Sequence, residues 1–169
     1  MSLTIKETKD IFDVVLPKMA LSVLSYDNTN KESVVNSSIK WYDFDEATIG
    51  VKKLSTLDSV EIIGDSLVFA EFKNEAVKSG DKLKFLRLKA TESLISLHII
   101  LKDKKPIVTM SDVNKLKKDC YFVFSRAKST PTKLMAFNTT HRILKSYYTC
   151  LYSKFDFIDN ITFKKKFKL

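Results

Sequence analysis

Glycine and proline are scarce in this chain, with three of each among 169 residues, and cysteine occurs only twice. A chain so poor in glycine and proline is not typical of linkers or disordered proteins. No apolar run reaches the roughly 18 residues that a transmembrane helix needs, and no signal-peptide pattern opens the chain. Because 44% of the residues are hydrophobic, we expect a single domain over residues 1–169 with its own core and no membrane span.

The two cysteines, Cys120 and Cys150, are spaced neither as a metal motif nor as a disulfide framework. Two unpaired cysteines are typical of buried thiols in a reducing compartment. The sequence therefore predicts buried thiols and a cytoplasmic location.

Charge is unevenly distributed along the chain. Residues 1–50 carry five lysines against eight acidic residues, whereas residues 51–169 carry 24 basic against 12 acidic residues. A local basic excess favours a polyanionic partner such as nucleic acid. The alternative is a surface whose lysines only keep the domain soluble, because just three of the 29 basic residues are arginine.

The best-defined local pattern is a β-hairpin. Residues 57–63 and 66–73 each read as a strand, and Gly64-Asp65 joins them. Glycine at the first of two loop positions predicts a type II′ turn. A turn of this length sets the register, in which opposite residues have numbers that add to 129.

This register brings three charged side chains to one end of the hairpin. Asp58 lies opposite Glu71, and Lys73 shares the face of Glu71 because side chains alternate along a strand. Like charges opposite each other in a sheet are unfavourable unless a counter-charge neutralises them. A divalent metal ion, helped by the lysine, would do so. The alternative is a salt-bridged surface cluster without chemistry.

At these residues the sequence resembles the PD-(D/E)xK nuclease superfamily, whose motif is an acid on one strand, an acid-x-lysine on the next, and then a helix. The match is Asp58, followed after twelve residues by Glu71-Phe72-Lys73. Leu57 stands where the name of the superfamily has proline, a position that varies among its members.

The resemblance implies an α/β fold, with a small mixed β-sheet, a central hairpin flanked by helices and a restriction-endonuclease-like core. It also implies a metal-dependent nuclease in which Asp58, Glu71 and the Phe72 main-chain carbonyl bind Mg²⁺ or Mn²⁺. Lys73 would then assist the attack of water on the phosphodiester. The expected partner is nucleic acid, with DNA as the first candidate and RNA as the alternative, and a homodimer is a further expectation.

Members of this superfamily often add an acid from an early helix to the metal shell. Glu46 is the first candidate because it lies nearest in sequence, followed by Asp13 and Glu7. The alternative for each is a solvated surface acid.

A helix is predicted at residues 82–101, with apolar residues at three- and four-residue steps. Its first half carries four basic residues that would line a phosphate track beside the hairpin: Lys82, Lys84, Arg87 and Lys89. The alternative is an ordinary solvated helix face.

Three other segments carry weaker patterns. Residues 31–38 suggest a short helix, and residues 132–137 suggest a strand. In residues 155–169 aromatic side chains alternate with lysines, a pattern that either binds single-stranded nucleic acid or packs its aromatics inward as a strand or edge segment.

No glycine-rich phosphate loop, nucleophile elbow or paired-histidine zinc motif occurs in the sequence. Two functions therefore remain. The first is the metal-dependent nuclease, and the alternative is a non-catalytic nucleic-acid-binding or interaction protein on the same scaffold.

Overall fold

The computed structural model describes residues 3–46, 54–75 and 81–169, and it describes their side chains except at 81–83 and 133–140. The helices are α1 (Ile5–Val15), α2 (Leu21–Leu24), α3 (Asp81–Lys104), α4 (Met110–Lys115), α5 (Pro131–Tyr148) and α6 (Asn160–Phe167). The strands are β1 (Lys18–Ala20), β2 (Tyr26–Asp27), β3 (Glu32–Ser33), β4 (Lys40–Asp43), β5 (Ser59–Ile63), β6 (Ser66–Lys73), β7 (Lys117–Phe124) and β8 (Lys154–Asp159).

The main sheet is mixed, and its described strands follow the order β1-β4-β5-β6-β7-β8. The pairs from β1 to β6 are antiparallel, whereas β6–β7 and β7–β8 are parallel. Each parallel step needs a crossover, which α3 and α4 supply before β7 and α5 supplies before β8. A second, small sheet pairs β2 with β3. The predicted α/β fold, with a mixed sheet and a central hairpin flanked by helices, is confirmed.

Each face of the sheet has its own apolar core. Val60, Leu67 and Phe69 point to the face covered by α1, α3 and α5. Val68 and Phe72 point to the opposite face, which α2 and α6 cover. The alternation of side chains along β5 and β6 thus separates two cores. The first core lies under α1, α3 and α5 and includes the even-numbered residues of β5. The second core lies under α2 and α6.

The hairpin has the predicted register, because Ser59 pairs with Ala70 and Ile63 with Ser66. Gly64 has φ of +62°, and Asp65 is not among the residues with positive φ. This combination excludes a type I′ turn, which needs positive φ at both positions, and agrees with type II′. One detail differs, since β5 begins at Ser59 rather than at Leu57.

Gly64→Ala is expected to lower the free energy of unfolding by about 1–2 kcal/mol, because an L-residue at positive φ is strained. Crowding is not the cause, since a Cβ at this position would meet no atom within 4 Å. Urea denaturation followed by circular dichroism measures the change. An unchanged midpoint would contradict the turn geometry.

The predicted helix at 82–101 is present as α3, and it extends to Lys104. Its described stripe is buried on the first core: Leu86, Ala90, Leu94, Leu97 and Leu101. Two polar side chains of α3 also hold the chain before β5, because Ser93 Oγ accepts from the Leu57 N–H at 2.9 Å and Glu92 from the Ser55 N–H at 2.6 Å. The start of β5 and α3 are therefore tied together.

Two of the weaker predictions are wrong. Residues 31–38 contain β3 instead of a helix, because this segment pairs back onto β2. Residues 132–137 lie inside α5 instead of a strand. Pro131 opens that helix, where its missing N–H has no intrahelical partner to lose.

The carboxyl-terminal segment packs its aromatics inward, as the second interpretation proposed. It does so as β8 followed by α6, so the edge-segment form of that prediction is only half right. Phe163 is fully buried and contacts Trp41 and Phe72, with ring centroids 5.6 Å and 5.8 Å away. The aromatic rings of α6 thus pack in the second core.

Of the two cysteines, Cys120 is buried as predicted, but Cys150 is exposed, and both are free. Cys150 lies in the turn after α5. Within the described ranges, no helix combines the length and the apolar character that a bilayer crossing requires.

Candidate functional site

The candidate site lies where the hairpin pairing ends. Asp58 directly precedes β5, and its Oδ2 accepts a hydrogen bond from the Phe72 N–H at 2.7 Å. This hydrogen bond links the two chains of the hairpin beyond the last backbone pair, Ser59 with Ala70, and fixes the carboxylate beside β6. The remaining oxygen, Oδ1, faces the side of the sheet that α3 covers.

Glu71 lies opposite, and its side chain is fully buried. Its Oε1 is 2.5 Å from Nζ of Lys73 in an ion pair. The Lys73 side chain is 37% exposed and that of Asp58 is 20% exposed. The three predicted residues are therefore together, at the boundary between the core and solvent.

A fourth side chain, Lys89 of α3, completes the cluster. Its Nζ donates to Asp58 Oδ1 at 3.1 Å and to Glu71 Oε2 at 2.9 Å, and its side chain is only 9% exposed. One ammonium thus joins the two carboxylates. With Lys73 included, the two negative and two positive charges of the cluster balance when all four groups are ionised.

From the sequence we expected Lys89 to line a phosphate track beside the hairpin, whereas the structure buries its side chain against the two carboxylates. A position three residues after Leu86 and next to Ala90 lies on the buried side of α3. That spacing was a usable signal. A lysine on an apolar stripe, facing two carboxylates across the sheet, would be expected to turn inward and neutralise them.

The pKa values follow from this burial. Loss of solvent, together with the neighbouring Asp58 carboxylate, raises the pKa of Glu71 above its ordinary value, although Lys73 and Lys89 oppose the shift. Loss of solvent alone would lower the pKa of Lys89, but the carboxylates of Asp58 and Glu71 outweigh it and raise that pKa above its ordinary value. The ammonium of Lys89 is therefore held in its charged form.

The other predicted site residues are exposed or have side chains outside the described residues. Glu46 is exposed in the turn after β4, and none of its described contacts joins it to Asp58 or Glu71. Lys84 and Arg87 are exposed on α3. The side chain of Lys82 lies outside the described residues, so its place in the phosphate track stays a prediction.

The two earlier acids considered for the metal shell are engaged elsewhere. Asp13 pairs with Lys9 at 2.6 Å and accepts from the Tyr42 hydroxyl at 2.5 Å. Glu7 caps α1 and pairs with Lys105 at 2.6 Å. Among Glu46, Asp13, Glu7 and Phe72, the residues predicted as a further metal ligand, only Phe72 has a described contact with the Asp58–Glu71 pair, through its main-chain N–H.

Open space adjoins the cluster. A cleft of about 180 Å³ is lined by Asp58, Lys73 and Asp27, among others. A neighbouring cleft of about 320 Å³ shares Lys73 and Asp27 and extends to Asn74 and Phe85. Asp58 and Lys73 thus face a space that an extended polar ligand can enter, whereas Glu71 lies behind them.

The donor set can be compared with the needs of a metal ion. Among the described residues, no group of three or more His, Cys, Asp or Glu side chains is spaced for a metal. Two carboxylates are nevertheless enough for Mg²⁺, which keeps several waters and takes one or two protein carboxylates together with phosphate oxygens. Asp58 and Glu71 therefore fit Mg²⁺ or Mn²⁺ in type and number, on condition that Lys89 releases them.

Comparison with protein-family models, curated proteins and solved structures gives no match. The resemblance to the PD-(D/E)xK superfamily accordingly rests on Asp58, Glu71 and Lys73 alone.

Proposed function

We propose that this protein is a metal-dependent nuclease with a restriction-endonuclease-like core, in which Asp58 and Glu71 hold Mg²⁺ or Mn²⁺ and Lys73 assists water attack. The observation that carries the proposal is the convergence of both carboxylates on one ammonium, that of Lys89, at 3.1 Å and 2.9 Å. Two carboxylates that meet at one cation, beside an open cleft, form a site that a divalent ion can use.

When bound, the ion would polarise the scissile phosphate and lower the pKa of a coordinated water, with the Phe72 carbonyl as a further ligand. The chain's own contribution is Lys73. Glu71 holds its ammonium at the cleft edge, where it would orient the attacking water and stabilise the negative charge that develops on the phosphate. Asp58, fixed by the Phe72 N–H, would keep its carboxylate in one position throughout.

The proposed substrate is nucleic acid, with DNA first. The basic excess of residues 51–169 supports a polyanion, and Lys84 and Arg87 offer exposed positive charge on α3. A cytoplasmic location and a homodimer that cuts both strands belong to the same proposal.

One observation favours the second candidate, a non-catalytic nucleic-acid-binding or interaction protein. Lys73 and Lys89 already balance the charges of Asp58 and Glu71. A cluster that is neutral without a metal ion can serve as a buried ion-pair network and do no chemistry.

Cleavage assays separate the two functions. Labelled single- and double-stranded DNA and RNA are incubated with Mg²⁺, Mn²⁺ or a chelator, using wild type, Glu71→Gln and Lys73→Met. We expect metal-dependent cleavage by wild type and a loss of about 100-fold in each variant, because Glu71→Gln removes the charge of a metal ligand and Lys73→Met removes the charge that stabilises the reacting phosphate. Glu61→Gln is the matched control, since Glu61 lies on β5 outside the pair and should keep full activity.

Two results would refute the nuclease. One is cleavage that continues in the chelator, and the other is equal cleavage by wild type and Glu71→Gln. Binding that weakens with salt, without any cleavage and unchanged in both variants, would instead support the second candidate.

A further inference from the structure

Lys89 holds the two oxygens that a divalent ion at this site would take. Its Nζ lies 3.1 Å from Asp58 Oδ1 and 2.9 Å from Glu71 Oε2. We infer that Lys89 is an internal competitor for the metal, so that a divalent ion binds Asp58 and Glu71 only by displacing the Lys89 ammonium. The inference rests on the proposed function in taking this pair as the metal ligands.

Sterics and charge make the two occupants exclusive. Mg²⁺ binds carboxylate oxygens at about 2.0–2.1 Å, so an ion shared by these two oxygens would lie within the space of the ammonium. The ammonium and the ion would also repel each other strongly in a site that is largely removed from water. Asp58 Oδ1 and Glu71 Oε2 can therefore bind only one cation between them at a time.

The structure also offers the displaced ammonium a place to go. The ring of Phe85, one turn earlier on α3, has its centroid 5.7 Å from Lys89 Nζ. Phe85 is exposed and lines the 320 Å³ cleft together with Lys73. Nζ already lies over this ring. A rotation of the long, flexible lysine side chain would carry its charge past the ring and into the cleft, where a phosphate group would stabilise it.

This arrangement gives Lys89 a defined role. It lowers the affinity of the site for a divalent ion by the free energy needed to break two ion pairs. The effect of Lys89 therefore appears in metal binding, before any catalytic step.

Calorimetric titration with Mn²⁺ tests the inference on the full chain, without substrate. We expect Lys89→Met to bind Mn²⁺ at least tenfold more tightly than wild type, because both carboxylates lose their competitor. Lys84→Met, which removes an exposed lysine from the same helix, should bind like wild type. Asp58→Asn/Lys89→Met should lose the gain, because one ligand is then neutral.

A second readout covers a weakly folded variant. If Lys89→Met is partly unfolded, Mn²⁺ should raise its melting temperature more than that of wild type, since a ligand that binds only the folded state stabilises it. Lys89→Gln, which keeps some hydrogen-bonding capacity, should show a smaller gain of the same sign.

Three outcomes decide the matter. Equal Mn²⁺ affinity and equal thermal response in wild type and Lys89→Met would overturn the inference, even if wild type cleaves nucleic acid. A gain that survives in Asp58→Asn/Lys89→Met would overturn it too, because the ion would then bind elsewhere. A gain confined to Lys89→Met, together with no cleavage by wild type, would support Lys89 as the competitor and refute the nuclease.

Discussion

Lys89→Met is expected to lower the free energy of unfolding by about 3–5 kcal/mol, because it leaves a buried carboxylate pair with half of its positive charge. Glu71 has no solvent exposure, so water cannot replace the lost ammonium. Denaturation in urea at pH 7 without divalent ions measures the loss. Lys84→Met, on the exposed side of α3, should change stability by less than about 0.5 kcal/mol.

A double-mutant cycle tests whether the ion pair itself is responsible. Glu71→Gln alone should destabilise the protein, because it leaves two ammonium groups with one carboxylate. Glu71→Gln/Lys89→Met should lose at least about 1 kcal/mol less than the sum of the single variants, since residues in contact are coupled. Additive losses would contradict the bridge between Lys89 and the carboxylate pair.

Lys118→Met is expected to destabilise the protein by about 2–4 kcal/mol, because it removes a buried donor that serves several carbonyl groups. Lys118 is 2% exposed. Its ammonium donates to the carbonyls of Val113 at 2.6 Å, Leu116 at 2.8 Å and Asn114 at 3.2 Å. These carbonyl groups lie at the carboxyl end of α4. The Lys118 ammonium thus caps the helix and neutralises the negative end of the helix dipole.

The effect of Lys118 should depend on pH. Burial lowers the pKa of Lys118 to about 8, whereas a lysine in an unfolded chain has a pKa of about 10.4. Between these values the unfolded chain holds a proton that the folded chain has released, so folding stability rises with pH by up to about 1.4 kcal/mol per pH unit. Below pH 8 both states are protonated, and this contribution is constant.

Urea denaturation of wild type and Lys118→Met at pH 7 and at pH 9.5 measures this dependence. The advantage of wild type should be larger at pH 9.5. Lys115→Met is the control, because Lys115 lies on the same short helix with its side chain 64% exposed. A difference that is constant or shrinks with pH would show that Lys118 keeps an ordinary pKa in the folded state.

The hairpin was predictable from sequence because its determinants are local. Gly64 sets the turn, the turn sets the register, and alternation along the strands then brings Asp58, Glu71 and Lys73 to one end. The same holds for α3, whose leucines repeat at the helical period over several turns. In both cases a few neighbouring residues decide the structure.

Segments whose pattern is short or mixed were not predictable in this way. Residues 132–137 contain side chains that are compatible with a strand. They lie instead in the first turns of the long helix α5, which Pro131 opens. Residues 31–38 lack a helical stripe strong enough to outweigh the pairing of β3 with β2. Tertiary contacts override weak local preference at such places.

By itself, the sequence determined the hairpin, its register, the buried stripe of α3 and the meeting of one aspartate, one glutamate and one lysine. Only the tertiary structure decided that Lys89 completes the cluster and that Glu71 is fully buried within it. The physical reason is distance along the chain. Lys89 lies 18 residues from Glu71, and the packing angle of α3 on the sheet, which no local pattern encodes, determines whether its ammonium points to water or to the carboxylates.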